Sequence, residues 1–343
     1  MLSPTLFQLA DKSAAQNIHY EKIPLEFILD SKASNEVVRQ LLKLDPKNIK
    51  KLETCKKQLS RLTELDLKKC KIDVEGILNL KNFKLNSLNF GYLYHLKTEF
   101  PDPSNSSGID IVSLLKRAVN TQEMMIHLGF SGEEDKRTFF HQRKLSNLCS
   151  SFPNLRILDI SFARGLTTME GIKNLKHLQK LVMRGIELED IYGYKELSDL
   201  KNLRVLDVSD CDDDSYRVIR SLLTSDVRMK NLVFLDCSMT WVKDYELKEF
   251  VKQNRRSEMA NLPLLVTRKR TVMLHIKGQR ITMPSTDVKV YGFYRDSTQT
   301  EVLVDMELLK HLSETLLPTL NVAKSCPLLH LQDDSTISNS RDL

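Results

Sequence analysis

The apolar positions of this chain recur in one arrangement. Leu62-Thr-Glu-Leu65-Asp-Leu67, Leu85-Asn-Ser-Leu88-Asn-Phe90 and Leu155-Arg-Ile-Leu158-Asp-Ile160 share the pattern L-x-x-L-x-L. So do Leu178-Gln-Lys-Leu181-Val-Met183, Leu203-Arg-Val-Leu206-Asp-Val208 and Leu232-Val-Phe-Leu235-Asp-Cys237. Met125, Leu128 and Phe130 give a weaker copy, and Leu262, Leu264 and Leu265 suggest a last one. Each copy predicts a short strand that turns its first, fourth and sixth positions inward. The stretches between copies read as helical or irregular returns: Asp212–Leu223 with acids at its start, Ile111–Val119, and Lys243–Gln253. The first fifty-odd residues lack the pattern and read as helices. One starts at Ser3-Pro4, with Ser3 as N-cap and Pro4 at the first helical position. Leu6, Leu9, Ala10, Ala14 and Ile18 then share one helical face, and a further helix runs from about Ser34 to Leu44.

The copies start 23, 40, 30, 23, 25, 29 and 30 residues apart, mostly at or near the period of about 20–29 expected of leucine-rich repeats. The gap of 40 holds a turn-rich insertion, Pro101-Asp-Pro-Ser-Asn-Ser-Ser-Gly108, of the kind solenoids carry in loops. One repeat cannot bury its apolar face, but stacked neighbours can. The fold class predicted is α/β: a leucine-rich repeat solenoid, or horseshoe, with an N-terminal helical cap and a small C-terminal cap. Its segments are a helical part at 1–57, repeats at 58–282, a capping segment at 283–330 and a polar, disordered tail at 331–343. In the capping segment, Val288–Arg295 and Glu301–Val304 predict a hairpin, and Met306–Leu320 an amphipathic helix.

The third and fifth strand positions face the open, concave side. They form an Asp column (Asp66, Asp159, Asp207, Asp236) next to Ser161, Ser209 and Ser238 at the seventh position. Local bonds from these side chains to backbone amides explain the column better than an acidic ligand ladder. Lys180, Arg184, Phe234 and Trp241 form a candidate substrate-binding patch, since aromatics and Arg are enriched in binding hot spots.

Composition narrows the class. Leucine makes up 55 of 343 residues, whereas Gly (11), Pro (10) and Trp (1) are scarce, which argues against a β-sandwich or a glycine-turn dinucleotide fold. The net charge of +6 suggests mild attraction to acidic partners without demanding nucleic acid. Residues 43–71 carry ten Lys or Arg with no interleaved aromatics, so a solvated face is expected there and nucleic acid is not. No apolar run of about 18 residues is present, so no membrane partner is expected. The six widely spaced cysteines and the N-terminus without a signal-like segment predict an intracellular protein, cytoplasmic or nuclear, with reduced thiols. No P-loop, dinucleotide, zinc-protease or nucleophile-elbow motif occurs. The eight histidines are isolated, and Asp212-Asp213-Asp214 reads as a solvated helix start. No catalytic residue, metal or cofactor is expected.

Thr5-Leu6-Phe-Gln-Leu-Ala10-Asp-Lys-Ser-Ala14 resembles the Elongin C-binding box of VHL-box proteins, with Ala10 where that box usually has Cys. Ile23-Pro24-x-x-Phe27 resembles the cullin-2 box that accompanies it, with Ser31 where an apolar residue is usual. The two in this order, ahead of leucine-rich repeats, resemble the Zyg-eleven family of substrate receptors for cullin-2 ubiquitin ligases over most of residues 1–270. The resemblance implies a non-catalytic adaptor whose partners are Elongin C (with Elongin B), cullin-2 with its RING subunit, and a protein substrate. It assigns Leu6, Leu9, Ala10 and Ala14 to Elongin C and Ile23, Pro24 and Phe27 to the cullin. Family members usually continue into an armadillo-like helical domain that this chain stops short of. N-terminal glycine recognition resembles a property of that domain and is not carried over. Two rival readings stand: Ile23–Leu44 as an F-box for Skp-one and cullin-1, or a binding scaffold without a ligase. Leu6 and Leu9 would instead be buried if the first helix only covered the end of the repeats.

Overall fold

A computed structural model describes residues 5–22, 28–91, 93–102, 105–120, 122–130, 142–186, 188, 190, 193–209, 215–224, 229, 231–237, 242–253, 264–276 and 279–291. The chain opens with helices α1 (Leu6–Tyr20) and α2 (Ser31–Leu44), a 3-10 turn at Pro46–Lys50 and the short α3 (Lys51–Thr54). Helix α1 begins two residues later than the Ser-Pro pair suggested. Thr5 is its N-cap, and it exchanges bonds with Gln8 in a capping box, which satisfies two otherwise orphaned amides. Ser3 and Pro4 lie outside the described residues. Asp30 caps α2 through the Ala33 amide, and Val37, Val38, Leu41 and Leu42 turn its apolar face into the core.

The repeats then supply strands β1 (Glu64–Leu67) and β2 (Ser87–Phe90) with α4 (Val74–Asn79) between them. The turn-rich insertion folds as a small hairpin, β3 (Pro101–Asp102) with β4 (Asn105–Ile109), and α5 (Ile111–Ala118) follows it. Next come β5 (His127–Gly129), α6 (Gln142–Ser151), β6 (Ile157–Asp159), β7 (Lys180–Val182) and β8 (Val205–Asp207). Helix α7 (Ser215–Leu223) leads to β9 (Phe234–Asp236), α8 (Asp244–Gln253), β10 (Leu264–Ile276) and β11 (Gln279–Tyr291). The nine-stranded sheet runs β1-β2-β5-β6-β7-β8-β9-β10-β11. It is parallel up to β10, and β10–β11 is an antiparallel pair.

The register lines up the central leucines: Leu65, Leu88, Leu128, Leu158, Leu181, Leu206 and Leu235 are successive partners. None of them, nor the first- and sixth-position residues of their copies, is more than 3% exposed. The weak copy at Met125 is a full member of this stack. Burying a leucine contributes about 1.5–3 kcal/mol, so the column is the main source of cohesion between repeats.

The C-terminal end departs from the sequence reading in its register. Val266, not Leu265, pairs with Leu235, and Leu265 falls opposite Phe234. The backbone register of the last strand is thus shifted by one residue from the copy read in the sequence. Val288–Tyr291 pairs with Leu264–Thr267; Glu301–Val304, the strand expected to form a hairpin with it, lies outside the described residues. The segments Met306–Leu320 and 331–343 also lie outside them. No helix among the described residues is long and apolar enough to cross a membrane.

Candidate partner-docking face

Helix α1 has two faces with opposite fates. Asp11, Ala15 and Ile18 are buried, the last two in the core cluster beside α2. Ala14 is half-buried and packs on the same cluster. Leu6 is 84% exposed, Leu9 49% and Phe7 44%, and Ala10 is exposed beside them. Lys32 at the start of α2 lies with its Nζ 5.3 Å from the centre of the Phe7 ring.

The far end of α1 is clamped. Lys51 Nζ donates to the carbonyl of His19 at 2.6 Å and forms an ion pair with Glu21 at 2.8 Å. That pair holds the Glu21 carboxyl below its usual range. Asn48 bonds the His19 ring and donates to the Leu41 carbonyl at 2.9 Å. A cation at a helix C-terminus answers the helix dipole. Among the buried groups, Asp11 Oδ2 has no hydrogen-bond partner. Burial, then Glu36 and Asp30, pushes its carboxyl up. An unsatisfied buried carboxyl costs stability, so α1 is held by its C-terminal clamp and by the packing of Ala14, Ala15 and Ile18 on the core. Its N-terminal two turns carry the unpartnered apolar surface. Ile23, Pro24 and Phe27, the cullin-box residues, lie outside the described residues.

The sheet carries the second candidate set. In the fifth-position row, Asp66, Asp159 and Asp207 each accept the amide two residues on, from Lys68 (3.0 Å), Ser161 (3.1 Å) and Ser209 (3.0 Å). The Ser161 and Ser209 hydroxyls add bonds of 2.6 Å to the same carboxylates. The Asp column is thus a set of local strand-end bonds, as the sequence favoured. Burial, with Asp236 next in the row, pushes the Asp207 carboxyl up, while Arg184 opposes the rise. Arg184 Nε donates to Ser209 Oγ at 3.0 Å and its Nη2 lies 3.5 Å from Asp207.

In the third-position row, Lys180 and Phe234 flank Val205. Only 8% of Lys180 and 7% of Phe234 is exposed, so neither offers a partner much surface. Arg184, with 37% of its side chain exposed, offers more. Trp241 lies outside the described residues. His127 stands in the same row, its Nδ1 2.9 Å from Ser87 Oγ. Burial, then Lys180, depresses its pKa to about 4, so the ring is neutral at pH 7. Burial pushes the Cys70 and Cys149 thiols up to about 11 and about 12, which leaves neither as a thiolate nucleophile. Among the described residues no cluster of three or more His, Cys, Asp or Glu is placed to hold a metal. Asp212-Asp213-Asp214 lies outside them.

Sequence reasoning missed one feature. Asn154, Asn202 and Asn231, each just before the first leucine of a copy, donate to the carbonyls of Glu123 (2.9 Å), Lys176 (2.7 Å) and Lys201 (2.8 Å) in the preceding copy. The recurring Asn-Leu dipeptide was the available signal.

Residues 146–271 match the family described as Zer-1-like, leucine-rich repeats. The chain is 30% identical over 312 residues to Gastrulation-defective protein 3 of Caenorhabditis elegans, a match covering 82% of this chain and 44% of that protein. The chain therefore spans less than half the length of that curated relative. Among solved structures, a Bacteroides fragilis protein is 16% identical, covering 52% of this chain and 65% of its own, with a TM-score of 0.28. The yeast Rad7 and Elc1 complex gives 14% identity, 76% of this chain, 96% of that chain and a TM-score of 0.23. Both superpositions are too loose to bear on the fold. The sequence matches bear out the chain's resemblance to the Zyg-eleven family, with Zer-1-like leucine-rich repeats matched over residues 146–271.

Proposed function

We propose that the chain is a non-catalytic substrate receptor that binds Elongin C through the exposed face of α1 and so joins a cullin-2 ubiquitin ligase. The observation that carries this reading is the exposure of Leu6, Leu9 and Ala10 on a helix whose other face is anchored. If the helix served only to cover the first repeat, its leucines would be buried and its small or polar residues would face water. The reverse arrangement favours a partner.

Leu6 is the anchor in this account. It enters an apolar pocket of Elongin C, and Ala10 and Ala14 allow close approach. Truncating a central anchor of this kind typically costs more than about 2 kcal/mol of binding. Ile23, Pro24 and Phe27 contact the cullin, and Elongin B and the RING subunit follow as members of the assembly. The repeats form a solenoid, covered at one end by α1 and α2 and at the other by the C-terminal segment, that presents a protein substrate. Among Lys180, Arg184 and Phe234, Arg184 has the most surface to offer. The mechanism is proximity: holding the substrate near a charged conjugating enzyme raises its effective concentration.

The test is a pull-down with wild type, Leu6→Asp and Pro24→Ala, probed for Elongin C, cullin-2, Skp-one and cullin-1. The account expects Elongin C and cullin-2 with wild type, loss of both with Leu6→Asp, and loss of cullin-2 with Pro24→Ala. Recovery of Skp-one and cullin-1 instead would establish an F-box receptor. Recovery of no adaptor by a folded protein would leave a binding scaffold and end the ligase reading.

A further inference from the structure

The edge of the sheet where the strands begin carries a row of cations without ion-pair partners among the described residues. Arg156, Gln179 and Arg204 are consecutive rungs there: Gln179 N donates to the Arg156 carbonyl at 2.8 Å, and Arg204 N to the Gln179 carbonyl at 2.7 Å. Lys176 and Lys201 sit one layer further out, their carbonyls held by Asn202 and Asn231. Lys84 occupies the same edge at β2, just before Leu85. Lys84, Arg156, Lys176 and Lys201 are exposed and Arg204 is half-buried. Among the described residues none of the five has an ion-pair partner, although cations elsewhere do, as in Lys50–Asp73, Lys51–Glu21 and Lys68–Asp159.

Adjacent strands lie about 4.8 Å apart, so the backbone brings Lys176 and Lys201 within about 5 Å. The Asn202 and Asn231 bonds hold this backbone spacing, so the two lysines share one stretch of the edge. In the middle of the row, at β5, stand Met124 and Ile126, 50% and 38% exposed. The local edge is therefore an apolar spot with Lys84 on one side and four cations on the other. Glu123, also exposed, directly precedes Met124.

We propose that this edge docks an acidic segment of a partner protein, with an apolar side chain of that segment seated on Met124 and Ile126. The apolar spot favours protein over nucleic acid. No Phe, Tyr or Trp stands in the row to stack a base, and exposed aromatics are what single strands use. The inference uses no residue of α1 and is tested on the chain alone, so it stands or falls separately from the Elongin C reading.

The experiment measures binding of the full chain to a fluorescein-labelled polyglutamate peptide with one central leucine, by anisotropy at two salt concentrations. A labelled single-stranded DNA and a labelled duplex serve as comparison probes. Lys176→Glu/Lys201→Glu should weaken peptide binding at least tenfold, and Met124→Ser/Ile126→Ser at least threefold. Lys69→Glu/Lys71→Glu, an equal charge change at the other end of β1, should change it less than threefold. Circular dichroism melts verify folding, and Lys201→Ala gives a milder variant should the double charge reversal unfold. Equal losses in the edge and control variants would reduce the effect to net charge and overturn the proposal. Tighter binding of either DNA, lost in the same edge variant, would replace it with a nucleic-acid edge. No peptide binding by wild type at low salt would also overturn it.

Discussion

His127 gives the sharpest quantitative test of the sheet's interior. Its ring lies between Ser87 Oγ, 2.9 Å away, and Ile157 on the next strand, with Lys180 one strand further. Burial and the charges of Lys180 and Lys68 lower its pKa from 6.5 to about 4, against the smaller opposing effects of Asp159 and Asp66. The native state thus stays unprotonated at pH values where the unfolded chain takes up a proton. Between pH 6.5 and 4 the unfolded state binds more protons, so this group makes stability fall as pH falls. A depression from 6.5 to about 4 corresponds to roughly 3 kcal/mol in total, of which about 2 kcal/mol is reached by pH 5. His127→Gln keeps a hydrogen-bonding partner for Ser87 and removes the titration. Urea unfolding of both proteins at pH 7.5 and 5 should show wild type losing about 2 kcal/mol more than the variant. Asp207 and Asp11, whose raised carboxyls work in the opposite direction, are common to both proteins and cancel in the difference. Parallel losses, or an imidazole proton resonance titrating near 6.5, would refute the reasoning.

Leu181→Ala should destabilise by about 2–5 kcal/mol, because it empties a fully buried position in the leucine column. Leu6→Ala should change stability by less than about 0.5 kcal/mol, because its side chain is exposed. Paired denaturant melts compare the two. Gly91→Ala should be strongly destabilising in a thermal melt: an added Cβ would lie 2.2 Å from the Lys68 backbone carbonyl oxygen, which has nowhere to move cheaply. Asn202→Ala should cost about 0.5–1.5 kcal/mol by removing an exposed bond to the Lys176 carbonyl. Hydrogen exchange should show the loosening confined to the neighbouring strand beginnings.

The repeats were legible because L-x-x-L-x-L forces both the strand and its inward face, and even Met125, Leu128 and Phe130 obey it. The Asp column was legible for the same reason: a short acid at a strand end bonds the nearest amides. The C-terminal strands were not, because Thr267-Arg-Lys-Arg-Thr271 carries charges where a strand signal wants apolar alternation. In α1, periodicity found a helix but not its orientation. Two faces fit three- and four-residue spacing, and the buried one contains Asp11, which sequence reasoning places in water. Thr5 and Gln8 spell a capping box, yet Ser3-Pro4 competes with it as a helix start. The burial of Lys180 and Phe234 depends on neighbouring copies, which no single repeat reveals.

The central claim is that the exposed leucine face of α1 is a binding surface for Elongin C. The most direct measurement is a calorimetric titration of purified Elongin B–Elongin C into the wild-type chain and into Leu6→Asp, with matched thermal melts. The account predicts saturable binding to wild type, at least thirtyfold weaker binding to the variant, and superimposable melts. Equal affinity for both, or no heat with either folded protein, would contradict it.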